Sequence, residues 1–131
     1  MKTIPESFQD LLMPATRALA FLATLMRDGS PQVTPLWFSW DGQCILVNTA
    51  KGRTKERNMR ERPAVALAIA DPKIPTRYIQ IRGKVVEVNE TGADEHINVL
   101  SLQYEGRPWE KVPGQIRIQF KILPEQVNAS Q

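Results

Sequence analysis

The chain has 131 residues, enough for one domain with its own core and too few for two of ordinary size. With 42% hydrophobic and 24% charged residues it has a globular balance that excludes a disordered chain. The net charge of +3 is concentrated: six cations against two carboxylates leave +4 in residues 51–62, so the remainder sums to −1, which suits a local anion site better than a nucleic-acid surface.

In chain order, Thr3 with Glu6 forms a capping-box pattern, and Phe8, Leu11 and Leu12 follow at helical spacing, which predicts a short helix ending near Pro14. Three strand-like runs come next, about Leu19 to Met26, Val33 to Trp40 and Gln43 to Thr49. They are separated by Asp28-Gly29-Ser30-Pro31 and Asp41-Gly42, turn sequences that join antiparallel neighbours because they tolerate positive φ. A meander is therefore expected. Pro35 interrupts the second run and cannot donate to a ladder, so that strand is either an edge or bulged there. Residues 52–62 read as a short polar helix stopped by Pro63, and Ala64 to Ala70 as a buried strand. Asp71 to Pro75 is a loop, and Tyr78 to Val88 alternates as a strand with a plausible bulge at Gly83. Thr91 with Asp94 opens a second helix carrying Ile97, Leu100 and Tyr104 on one face. Beyond Arg107-Pro108-Trp109, Gln115 to Leu123 alternates again and stops at Pro124. Six hairpin-linked strands with inserted helices describe a mainly β fold, a small antiparallel barrel with α additions, as a single domain over residues 1–131.

The longest apolar stretch, residues 18–26, is broken by Thr24 and is far shorter than the ~20 residues a membrane-spanning helix needs. MKTIPESFQD has no apolar h-region and does not read as a secretory signal. Cys44, the only cysteine, lies in the apolar run Cys44-Ile45-Leu46-Val47 and reads as a small buried hydrophobe instead of a reactive thiol, with a reducing cytoplasm as the expected compartment. His96, the only histidine, has no cysteine or spaced carboxylate pair near it, so no metal set or general base is read and an exposed or core-edge position is expected. With no catalytic constellation and no Gly-rich phosphate loop, any reaction belongs to a bound cofactor.

Two stretches carry information about that cofactor. In Thr49-Ala50-Lys51-Gly52-Arg53-Thr54-Lys55-Glu56-Arg57-Asn58, cations crowd a helix N-terminus, where the macrodipole is already positive. A phosphate held by free backbone N–H groups, the Thr49 hydroxyl and the cationic heads would resolve that conflict; a solvated basic helix and a nucleic-acid contact are the other readings. In Pro31-Gln32-Val33-Thr34-Pro35-Leu36-Trp37-Phe38, a strand interrupted by proline offers unpaired backbone groups beside flat side chains, which suits the edge of a planar heterocycle. Taken singly, Trp37, Phe38 and Trp40 read as core.

These segments, with Leu22-Ala23-Thr24, Asp28-Gly29-Ser30 and Arg82-Gly83-Lys84, resemble the pyridoxamine 5′-phosphate oxidase-like flavin-binding split barrels, in particular their coenzyme F420-dependent reductases. The likeness runs from about Phe8 to Val127. It implies a six-stranded split β-barrel, a homodimer with cofactor sites at the interface, and hydride transfer from reduced coenzyme F420 to a small unsaturated substrate. Arg53 and Lys55 would hold the cofactor phosphate with help from Thr49 and Asn58. Gln32, Val33, Thr34, Pro35 and Leu36 would line the ring, Lys51 would meet the F420 tail carboxylates, and Tyr78 stands where relatives carry a flavin-contacting Gln. The partner subunit would contribute its Trp109 region. No metal, nucleic acid or membrane enters this picture. FMN is the alternative cofactor, and a non-catalytic binder of a flavin-like or tetrapyrrole ligand the alternative role. The separated Arg53 and Lys55, and the absence of an Arg-Leu-His substrate motif, disfavour a true pyridoxamine phosphate oxidase.

Overall fold

A computed structural model describes residues 3–131, so the expected unit of 1–131 begins two residues outside the described ones. Its strands are β1 (Ala20–Leu25), β2 (Pro31–Leu36), β3 (Phe38–Trp40), β4 (Ile45–Ala50), β5 (Ala64–Ala70), β6 (Tyr78–Asn89) and β7 (Arg117–Ser130). They form one seven-stranded antiparallel sheet in the order β2-β1-β5-β6-β7-β4-β3, curled into a half-barrel. Helix α1 (Thr54–Glu61) joins β4 to β5, and α2 (Ala93–Glu105) joins β6 to β7 and packs on β4 and β7. No helix among the described residues is long and apolar enough to cross a membrane.

Seven strands stand where six are expected, because the run Val33 to Trp40 divides. Its first half is β2, paired with β1; its second is β3, paired with β4 at the opposite edge of the sheet. Only Trp37 lies between them. The expected three-strand meander is therefore two hairpins, each closed by its Asp-Gly turn. Asp28 Oδ1 accepts from the Ser30 N–H at 2.9 Å, Asp41 Oδ1 accepts from the Gln43 and Cys44 N–H groups at 2.8 and 2.6 Å, and Gly29 and Gly42 sit at φ +87° and +96°.

The ends of the helical segments also differ from expectation. The first is a 3-10 helix, Glu6–Leu12, and Pro5 occupies its N-cap, so the Thr3–Glu6 capping box does not form. Gly92 in a left-handed conformation, not Thr91, caps α2. The last strand passes through Pro124 to Ser130 instead of stopping there. A register shift makes this possible: Arg82 opposes Gln126 while Gly83 opposes Pro124, so Glu125 is the extra residue of a bulge that accommodates the missing proline N–H.

Leu22, Leu67, Ile81, Ile118, Phe120 and Ile122 are at most 1% exposed and belong to one buried cluster, closed at one side by Phe8, Leu11 and Leu12. Each such side chain contributes about 1.5–3 kcal/mol by leaving water. At the β6–β7 bulge the backbones approach so closely that a Cβ on Gly83 would run into the Leu123 carbonyl oxygen. Gly83→Ala is expected to cost about 2–3 kcal/mol through overpacking, whereas Lys84→Ala, at an exposed neighbour, stays within about 0.5 kcal/mol; urea unfolding of the two variants measures the difference.

Candidate cofactor site

The site is built around the start of α1. Arg53 is its N-cap residue and offers no side-chain cap; the capping comes from Glu56, whose Oε1 accepts the Gly52 N–H at 2.8 Å and whose Oε2 accepts Arg60 Nε at 2.8 Å. Burial opposes ionisation of Glu56, but the Gly52 N–H, Arg60 and Lys51 outweigh it and lower its pKa. Asn58 turns inward and ties the helix to β1: its Nδ2 donates to Thr24 Oγ1 at 3.0 Å, and its Oδ1 accepts from Arg62 at 3.1 Å. Thr24 Oγ1 in turn lies 2.9 Å from Gln32 Oε1.

With Glu56 and Asn58 committed to the fold, Arg53 and Lys55 face a cavity of about 260 Å³. Pro35, Leu36 and Trp37, Asn48 and Thr49, and Trp109 and Arg117 line it with them. Trp37 stacks on Tyr104 with ring centroids 5.4 Å apart and meets Trp109 edge-on at 6.4 Å. The Arg117 guanidinium lies 5.0 Å from the Trp109 ring centre. Among the described residues no carboxylate forms an ion pair with Arg53, Lys55 or Arg117. Burial, then Arg53 and Arg117, depress the Lys55 pKa; burial, then Arg53, brings Arg117 down to about 10, with Asp94 acting the other way. Three mutually repelling cations with no counter-ion are what an anion site looks like before its anion is added. The Thr49 hydroxyl, in a residue 1% exposed, has no hydrogen-bond partner, and neither has the Thr34 hydroxyl. A buried hydroxyl left unpaired costs about 1–3 kcal/mol, so both are donors or acceptors in waiting.

Next to this charge lies an open strand edge. The Met26 N–H donates to the Ser30 carbonyl at 2.8 Å, and by the antiparallel alternation Gln32, Thr34 and Leu36 exchange backbone bonds with Thr24, Leu22 and Ala20. The backbone groups of Pro31, Val33 and Pro35 therefore point away from β1. Both prolines sit where no partner strand asks for an N–H, and Val33 keeps a free one.

Of the residues singled out from the sequence, Thr49, Arg53, Lys55, Pro35, Leu36 and Trp109 come together at the cavity. Gln32, Val33 and Thr34 continue β2 beyond it. Lys51 is exposed and lies 3.8 Å from Glu90. Asn58 supports the helix from beneath. Tyr78 is elsewhere, at the start of β6 opposite Ala70 and Ser130. The resemblance assigns Trp109 to a partner subunit; here it lines the cavity of its own chain, its backbone N–H donating to Asn98 Oδ1 at 2.9 Å. Sequence reasoning missed Arg117 and the polar groups under it, Asn48 and His96. Arg117 reads as an ordinary outward position of an alternating strand, and nothing local announces that α2 covers it.

Of the exposed and core-edge positions expected for it, His96 does not take the exposed one: it is buried among these groups. Its ring lies 2.9 Å from Ser39 Oγ and 3.2 Å from Asn48 Nδ2.

The chain belongs to the pyridoxamine 5′-phosphate oxidase family, whose model matches residues 5–128. Its structure is similar to that of an F420 reductase, with a TM-score of 0.84 and 31% identity over 95% of this chain and 98% of that one. It shares the fold of a conserved hypothetical protein from Mycobacterium tuberculosis (TM-score 0.73, 20% identity, 98% and 86% covered) and of HupZ from Group A Streptococcus (TM-score 0.69, 22% identity, 97% and 94% covered). No curated protein sequence matches.

Burial, then the Arg117 charge, lowers the His96 pKa to about 4. Unfolded, the ring titrates near 6.5, so between those values the unfolded chain binds the extra proton and stability falls as the pH is lowered. At pH 5 the loss relative to pH 7 is about 2 kcal/mol, at 1.36 kcal/mol per unit. The carboxylates with lowered pKa, Asp10, Asp41 and Glu56 among them, give up their contributions only at more acid pH. Urea unfolding at pH 7 and pH 5 is expected to show this loss in the parent and to show it greatly reduced in His96→Gln.

Proposed function

We propose that the chain is an oxidoreductase that binds coenzyme F420 and reduces a small unsaturated substrate, with FMN as the alternative occupant of the same site. The observation that carries this reading is the cavity of three unpaired cations and a free Thr49 hydroxyl beside an unpaired strand edge. Arg53 and Lys55 hold the cofactor phosphate, and Thr49 Oγ1 donates to it. Val33 N–H and the carbonyls of β2 meet the polar edge of the ring, between Gln32 and Leu36. Lys51, exposed beside the site, takes the tail carboxylates; Asn58 acts by fixing α1. Reduced coenzyme F420 would supply the hydride, so no side chain is assigned a chemical step. The 31% identity to an F420 reductase favours the deazaflavin over FMN. The single, buried thiol of Cys44 is in keeping with a reducing cytoplasm.

We further propose that the working form is a homodimer. The outer faces of β2, β1 and β5 present Val33, Phe21, Ala23, Ala66 and Ala68 in adjoining register, with Val33 63% and Phe21 43% exposed. So much small and apolar surface on one sheet face suits a second copy. Tyr78, opposite Ala70, extends that face and would reach the neighbour's site across it.

Fluorescence titration of the ligand-free protein with coenzyme F420 and FMN tests the cofactor assignment. F420 is expected to bind at micromolar concentration or below and FMN much more weakly; the reverse order would make this an FMN protein, and tight binding without turnover of any acceptor would make it a carrier. Arg53→Ala with Lys55→Ala is expected to weaken binding at least about 100-fold, since charged hydrogen bonds contribute about 1.5–3 kcal/mol each. Unchanged affinity would refute the phosphate assignment. For the dimer, light scattering is expected to give twice the chain mass, and Phe21→Asp to give a monomer.

A further inference from the structure

Beneath the cavity runs a polar relay to which the cofactor reading gives no role. Ser39 on β3 meets His96 Nε2, Asn48 Nδ2 lies 3.2 Å from His96 Nδ1 and 2.9 Å from the Ala93 carbonyl, and Arg117 Nε lies 2.9 Å from Asn48 Oδ1. Its three central members are no more than 9% exposed: Asn48 7%, Arg117 8%, His96 9%.

The protons in this relay are fixed by elimination. A guanidinium only donates, so Oδ1 of Asn48 must face Arg117; a carbonyl only accepts, so Nδ2 must face Ala93. The second Nδ2 proton then goes to His96 Nδ1, which is the acceptor of the pair. His96 is therefore the neutral tautomer with its proton on Nε2, donated to Ser39 Oγ. Every group holding Arg117 is uncharged: Asn48 Oδ1, Gln115 Oε1 at 3.1 Å from Nη1, and the face of Trp109. A carboxylate at position 48 would grip the guanidinium as well or better, but it would cancel the charge and offer nothing to Ala93 or Nδ1.

We infer that Asn48, itself oriented by His96, is a positioning residue that holds Arg117 toward the cavity as an undiminished positive charge, making Arg117 a third ligand-binding cation beside Arg53 and Lys55. The inference rests on the reading of this cavity as an anion site. It gives the amide a purpose that packing alone does not: the position needs one acceptor, two donors and no charge, which among side chains of this size only Asn supplies.

The test compares binding of coenzyme F420, FMN and inorganic phosphate by the parent, Arg117→Ala, Asn48→Asp, His96→Gln and His96→Leu, with thermal unfolding of each. Arg117→Ala and Asn48→Asp are expected to weaken binding of the favoured cofactor at least 10-fold, and phosphate in parallel. His96→Gln, whose amide can accept from Asn48 and donate to Ser39, is expected to stay within threefold of the parent, while His96→Leu loses at least fivefold. Because His96 is the only histidine, its ring resonances titrate without ambiguity, and in Asn48→Asp they are expected to titrate well above the parent's value, as the new carboxylate accepts a hydrogen bond from Nδ1–H of the protonated ring and stabilises its charge. Folded Asn48→Asp binding like the parent would overturn the inference. Should that variant not fold, His96→Leu binding like the parent does so instead. Arg117→Ala without effect, while Arg53→Ala and Lys55→Ala weaken binding, also overturns it but leaves the cofactor site standing. If none of the cation variants affects any of the three probes, the anion reading of the cavity is itself wrong.

Discussion

The passage of the chain from one edge of the sheet to the other through a single residue, Trp37, is the constraint on which the rest of the structure depends. Pro35 cannot serve a partner on each side, so β2 must be an edge, and the chain must leave it to remain in the sheet. Trp37 is held at the crossing by its stack on Tyr104, whose hydroxyl donates to the Ala18 carbonyl at 2.5 Å just before β1 begins. One side chain of α2 thus fixes the entry to β1 and the exit from β2 together. The half-barrel, the open β2 edge and the aromatic wall of the cavity are consequences of the same crossing.

A second constraint is electrostatic. Bringing Arg53, Lys55 and Arg117 to one cavity raises the free energy of the folded chain, and among the described residues no carboxylate ion-pairs with any of them, Asp94 acting on Arg117 only through its field. The nearby carboxylates are employed away from the cavity: Glu56 on the Gly52 N–H and Arg60, Glu90 near Lys51, Asp94 near Lys111. Glu56 in particular supplies the negative charge that the N-terminal turn of α1 favours while pairing with Arg60 and not with the cavity-facing cations. The stability given up in this arrangement becomes available to whatever anion binds, since relief of the repulsion adds to each direct contact.

Much of this was legible in the sequence, and what was not shares one physical cause. The two Asp-Gly turns, the alternation of β6, the apolar run of β5 and the edge position that Pro35 demands of its strand are local, and each is found where its local pattern places it. The Arg53–Lys55 segment was readable because a cation at a helix start conflicts with its own backbone. The division of the run at Trp37 was not readable: a flat meander and a strand that changes edges have the same alternation, and only closure of the sheet chooses between them. The continuation of β7 through Pro124 depends on the bulge opposite Gly83, a feature of two strands about forty residues apart, not of either alone. Arg117 and Asn48 were hidden for a related reason. The register places Arg117 opposite Ala50 and Asn48 opposite Gln119, on the sheet face away from the Ile118, Phe120 and Ile122 core. A period-2 pattern reports such positions as solvent-facing until a helix is laid over them.

That covering helix explains why the missed residues are polar at all. A face destined for water tolerates Arg and Asn at no cost; a face buried under α2 tolerates them only if each donor and acceptor is matched. His96 and Ala93 of α2, with Ser39 of β3, provide that match, so the helix that buries the charge also carries two of the groups that orient it. An all-apolar interface between α2 and the sheet would have been simpler to stabilise, with no desolvated guanidinium to support. The polar one is retained at the single place where the interface opens onto the cavity. There the burial of Arg117 does two things at once: it fixes the guanidinium against Trp109, and it lowers the dielectric through which its charge is felt by a ligand. The position of α2 across β4 and β7 therefore shapes the charge of the cavity as much as it shapes the fold.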